Sequence, residues 1–168
     1  YMALTFALVA GAARELYGKG RGALATLLLM GCLGIVVRSH QLITDIALLS
    51  GFAAAFYGLA LALRRPAAGG FWLGTGVGIG FLSKGLLAPG ILGFFALLLP
   101  LLPAWRTRGY LVTLGVAAAI FLPWLMLWPY ALYTKSPALF NEWLVINNFG
   151  RFLGGNDLGP AADNAHYL

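Results

Sequence analysis

The chain has 168 residues, of which 61% are hydrophobic and 10% charged, with a net charge of +6. A soluble domain carries about a quarter charged residues, so this composition excludes one and reads as an integral membrane protein. The basic residues are scattered through short loops rather than gathered on a nucleic-acid-binding face, and the single Cys32 has neither a disulfide partner nor metal spacing.

Uncharged runs cover residues 22–37, 46–63, 66–83, 85–105 and 109–134. A spanning helix needs roughly 17–25 mostly apolar residues, and all but the first run reach that length. The expected fold class is an all-α membrane protein, a polytopic helix bundle over 1–128. Its about six spans fall at 2–13, 23–38, 46–63, 71–83, 86–102 and 110–128. The first reads as the end of a span cut at its start. With Tyr1 opening the chain and no polar tail after Leu168, the sequence reads as a piece of a longer protein. No signal-peptide pattern opens it.

The loops at 14–22, 64–70 and 103–109 hold Arg14, Lys19, Arg21, Arg64, Arg65, Arg106 and Arg108, seven of the eleven basic residues. The positive-inside rule puts these loops in the cytoplasm. Asp45, Lys84 and the segment 129–168 of this multi-pass protein then face the periplasm or its equivalent. The span at 71–83 is short and carries Gly74/Gly78 and Gly76/Gly80, two small-xxx-small pairs that let helix backbones approach closely. Pro123 sits inside the last span, where it predicts a kink.

From residue 129 the chain turns polar and aromatic and carries Glu142, Asp157 and Asp163, three of its five carboxylates. Ser136-Pro137 reads as a helix start. Leu139, Trp143, Ile146 and Phe149 recur at helical spacing, which predicts an amphipathic helix at 137–153 lying on the membrane surface. Gly154-Gly155-Asn156 ends it.

The charged residues each carry two readings. Asp45 is a helix N-cap, a cavity carboxylate paired with a cation, or both. Lys84 is a lysine snorkelling at the interface, or a cation held for a phosphate or for Asp45. Arg151 touches lipid headgroups or grips a phosphate bidentately. Glu142 is a solvated helix charge or a substrate contact. His40 and His166 lie far apart, and Asp157 and Asp163 sit among turn residues.

Taken in order, Thr44-Asp45 opening a span, Leu82-Ser83-Lys84-Gly85 closing a Gly-rich one, Pro123-Trp124, Glu142-Trp143 and Asn147-Asn148-Phe149-Gly150-Arg151-Phe152 resemble a known family. It is that of the polyprenyl-phosphate-sugar-dependent glycosyltransferases of the C-type membrane fold, which includes the aminoarabinose transferase of lipid A and protein O-mannosyltransferase-like proteins.

The resemblance implies transfer of a sugar from a polyprenyl-phosphate donor to a lipid, protein or glycan acceptor at the periplasmic face. It implies that Asp45, Lys84 and Arg151 line the cavity and donor-phosphate site, with Glu142, Asn148, His166 and Tyr167 as candidate substrate contacts. The family's catalytic Asp belongs to an earlier outer loop, so no catalytic residue is expected in this chain. Asn147-Asn148 stands where some members have Glu-His. No cofactor is assigned, and the residues present do not support a divalent metal. Nucleic acid is not an expected partner; membrane lipids are. Two other classes stay open, a transporter or flippase of lipid-linked glycans and a non-catalytic membrane subunit.

Overall fold

The computed structural model describes residues 1–32, 34 and 44–150, and among them every regular element is helical. The chain divides into two compact units, Tyr1–Leu125 and Met126–Leu168. Among the described residues two helices are long and apolar enough to cross a membrane by length and composition, Thr44–Ala62 and Arg108–Lys135.

Helix α1 spans Met2–Tyr17 and α2 spans Arg21–Met30. The first runs past 13, through Arg14 and Glu15, and stops at Gly18, whose φ of 97° favours glycine and whose N–H caps the carbonyl of Arg14. The sequence reading carries α2 on to residue 38, but 33 and 35–43 lie outside the described residues.

Helix α3 (Thr44–Ala62) and helix α4 (Pro66–Lys84) form the most extensive pairing in the chain. The span expected at 71–83 thus begins at Pro66, because a proline at the first helical position has no N–H to lose. It ends at Gly85, where φ is 60° and the N–H bonds to the Phe81 carbonyl at 2.8 Å.

Helix α4 is faced with glycine on two sides. A Cβ on Gly76 would collide with the Gly51 carbonyl and the Ala55 nitrogen, both on α3. A Cβ on Gly78 would meet the Trp124 ring at 2.6 Å, and one on Gly74 the Ala117 carbonyl at 2.5 Å. The two small-residue pairs of the sequence therefore serve different neighbours. Gly76 faces α3 and Gly80 lies between α3 and Ala88 of the next helix, while Gly74/Gly78 face helix α6 (Arg108–Lys135). Backbones this close gain dispersion contacts along their whole length, which is how small residues bind helices where lipid offers no hydrophobic drive.

Helix α5 covers Leu87–Leu98 and gives way to two single 3₁₀ turns, Leu99–Leu101 and Pro103–Trp105. The span expected to run to residue 102 ends earlier because Pro100 has no N–H for the Ala96 carbonyl. The buried Tyr110 hydroxyl donates to that carbonyl at 2.6 Å. Arg106 completes the end, its Nε and Nη2 donating to the carbonyls of Pro100 and Leu101 at 2.8 and 3.1 Å. Thr107 then caps α6, its Oγ1 accepting from the Tyr110 N–H at 3.1 Å.

Helix α6 is longer than the expected 110–128. It runs as one helix through Pro123 and Pro129, 28 residues or ~42 Å.

In the second unit, Ser136 caps helix α7 (Pro137–Asn141), its hydroxyl accepting from the Leu139 N–H at 3.3 Å. The amphipathic α-helix expected at 137–153 requires correction. After Asn141 the chain continues as a π-helical segment, Glu142–Gly150. Residues 151–153 lie outside the described residues. Wider turns change which side chains share a face, so the 3.6-residue stripe through Trp143, Ile146 and Phe149 does not persist. Rings organise the unit instead: Trp128 meets Trp143 with centroids 4.8 Å apart, and Phe140 meets Tyr133 at 5.6 Å.

Candidate functional site

The site grows from the register of α3 against α4. Gly51 lies against Gly76 and Gly80. From that contact, six residues along α3 lead to Asp45 and four beyond Gly80 lead to Lys84. Both side chains therefore emerge at the same end of the antiparallel pair. Lys84 Nζ lies 2.9 Å from Asp45 Oδ1.

Each charge also suits its helix end. Asp45 lies in the first turn of α3, where backbone N–H groups favour an anion, and Lys84 in the last turn of α4, where carbonyls favour a cation. Asp45 is thus one residue inside the helix rather than the cap preceding it. Just before Lys84, the Ser83 hydroxyl turns back to the Ile79 carbonyl at 2.7 Å.

The pair is not buried in this chain. The Lys84 side chain is 37% exposed and that of Asp45 57%. An exposed ion pair contributes at most about 1 kcal/mol, so fold stability alone gives little reason for it. What it supplies chemically is an ammonium held at a fixed point by a carboxylate, open on its remaining faces to a ligand.

Helices α4, α5 and α6 also leave an apolar groove of about 380 Å³, lined by Leu73, Val77, Leu92, Ala96, Leu114 and Phe121 among others. Val77 is seven residues from Lys84 on the same helix, or ~10 Å.

Glu142 and Asn148 belong to the second unit. The Asn148 side chain is buried, and its Nδ2 donates to the Trp143 carbonyl at 2.7 Å. Asn147 Nδ2 reaches the Glu142 carbonyl at 3.4 Å. Both amides span five residues, matching the reach of the π-helix around them. Arg151, His166 and Tyr167 lie outside the described residues, as does His40. Among the described residues no three His, Cys, Asp or Glu side chains gather as a metal site would require.

The sequence reading passed over a second ion pair, Arg64 Nη1 to Glu15 Oε2 at 3.5 Å. It joins the loop after α3 to the end of α1. The signal for it was present, since both residues fall in loops assigned to one side of the membrane.

The family whose profile matches residues 1–128 is described as dolichyl-phosphate-mannose-protein mannosyltransferase. The chain belongs to this family. No curated protein and no solved structure gives a match. Membership in the mannosyltransferase family indicates a membrane glycosyltransferase of the C-type fold that draws on a polyprenyl-phosphate-linked sugar. The match covers both Asp45 and Lys84, along with the helices that bring them together.

Proposed function

We propose that this protein takes part in transferring a sugar from a polyprenyl-phosphate donor to a lipid, protein or glycan acceptor at the periplasmic face of a bacterial inner membrane, with Lys84 at the donor phosphate. The ion pair of Lys84 with Asp45, at the ends of two helices locked by glycine, carries the reading. The leaving group in such a transfer is a polyprenyl phosphate, so the site must stabilise charge that develops on phosphate oxygens. A cation already fixed in place does so without reorganising at the moment of reaction. Asp45 orients the ammonium and is a positioning residue.

Arg151 supplies a second cation in this reading, with a planar fork suited to phosphate. Glu142, Asn148, His166 and Tyr167 serve as substrate contacts. The base that deprotonates the acceptor is an Asp outside these 168 residues. The apolar groove beside Val77 and Leu92 offers room for a prenyl chain.

The test is transfer at limiting donor by the full-length enzyme. Lys84→Ala should lose roughly ten- to a hundredfold, the equivalent of a charge-assisted hydrogen bond of about 1.5–3 kcal/mol. Asp45→Asn should lose less, because it keeps the shape and leaves the ammonium in place. Wild-type turnover by Lys84→Ala would leave Lys84 as a snorkelling lysine and end the reading.

A further inference from the structure

At the opposite end of α3 from Asp45, the turn between α1 and α2 gathers Arg14, Lys19 and Arg21, all exposed. Nothing described neutralises them. Glu15, the carboxylate of this turn, is taken by Arg64, and α2 has no acidic residue in its first turn. Among the described residues none of the three basic side chains forms an ion pair.

Directly below this turn the two helices enclose an apolar groove of about 380 Å³. It is lined by Ala13 and Tyr17 of α1 and by Arg21, Leu24, Ala25 and Leu28 of α2. Arg21 is the one charged residue on its wall.

A slot that is apolar along its length and cationic at its mouth matches one ligand chemistry, a single-headed anion on a hydrocarbon chain. We propose that this groove binds an anionic glycerophospholipid. The acyl chain lies between α1 and α2 against Ala25 and Leu28, and the phosphate rests on Arg21 and Lys19. Basic pockets between membrane helices hold anionic headgroups in this way, each nearby Lys or Arg strengthening attraction to the lipid about fivefold. Tyr17, an exposed residue, stands at the mouth, where interfacial tyrosines sit at headgroup level. The inference rests on the membrane reading of the chain and is independent of the sugar-transfer chemistry at Lys84.

Native mass spectrometry of the full-length protein in detergent tests it. Phosphatidylglycerol and phosphatidylcholine with the same acyl chains are titrated in parallel. Phosphatidylglycerol should be retained at lower concentration. Arg21→Gln with Lys19→Gln should weaken it about 25-fold while barely changing phosphatidylcholine. Both residues are exposed, so these variants should fold, and an unchanged melting temperature checks that they do. Ala25→Leu, which fills the groove and keeps the charge, should displace the bound lipid. Lys135→Ala removes a basic residue of the other unit and should have no effect. Equal retention of the two lipids, or phosphatidylglycerol binding indifferent to the Gln pair, would show ordinary annular lipid or a covered groove and overturn the proposal. Loss of sugar transfer in Lys84→Ala bears on the active site alone, so the two readings fail separately.

Discussion

A single methyl group at Gly76 tests the packing of α3 against α4. A Cβ built there sits 2.5 Å from the Ala55 nitrogen, whereas ordinary contact begins at 3.4 Å. The atoms in the way are backbone, so no rotamer change relieves the clash, and α3 and α4 must separate by ~1 Å. A gap of that size forfeits a quarter to a half of the dispersion well for each contact it opens. Overpacking of a close interface costs about 1–3 kcal/mol. Gly76→Ala should therefore destabilise by about that much, even though alanine is the better helix former. Gly115→Ala on α6 is the control, since nothing lies within 4 Å of its Cβ. There, helix propensity alone operates, and the change should stabilise by about 0.5–1 kcal/mol. Unfolding midpoints of both variants in one detergent should move in opposite directions. A Gly76→Ala midpoint at or above wild type would refute the packing argument, and with it the reason Asp45 and Lys84 meet.

Three further outcomes are expected. Tyr110→Phe should cost about 1–3 kcal/mol in the same unfolding assay, because it strands a buried carbonyl that Pro100 cannot serve; an unchanged midpoint would mean another donor takes over. In a Cys32→Ser background, cysteines placed at Arg64 and Asn156 should label from opposite sides of the membrane, with 156 outside, and labelling of both from one side would overturn the orientation. Arg151→Ala in the full-length enzyme should cut transfer at limiting donor by roughly ten- to a hundredfold, with Arg151→Lys recovering only part, since lysine keeps the charge but loses the fork; normal turnover in the Ala variant would return Arg151 to the lipid headgroups.

Much of the helical plan was legible in the sequence because lipid solvation and glycine leave plain marks. Among the described residues charges fall at helix ends or in the loops between helices, so Asp45 and Lys84 could be paired from their positions at adjoining ends of neighbouring helices. What the hydrophobic pattern could not mark was where helices stop. Residues 14–17 continue α1 although charged, since a helix end carries Arg14 and Glu15 into water at no cost. Residues 99–102 leave α5 although apolar, since Pro100 and Pro103 remove donors that hydrophobicity does not count. The π-helical turn at Glu142–Gly150 was invisible for a different reason. The 3.6-residue spacing of Leu139, Trp143, Ile146 and Phe149 is compatible with an α-helix, and only the five-residue reach of Asn147 and Asn148 reveals the wider winding. Periodicity counts apolar faces and does not see a side-chain amide competing for backbone carbonyls.

The two described ion pairs give α3 a polarity that hydropathy alone does not. Asp45 pairs at its first turn, and Arg64, just past its last, pairs with Glu15. From Asp45 to Ala62 the helix rises ~26 Å, close to the hydrocarbon thickness of a bilayer. Between those ends every residue of α3 is uncharged, and its close contacts with α4 run through Gly51, Ala55 and Gly58. The same arrangement separates two roles. The Glu15–Arg64 end, rich in basic residues, suits an anionic lipid surface. The Asp45–Lys84 end holds a tethered cation, which has little value as a staple and which the proposed function sets against a donor phosphate.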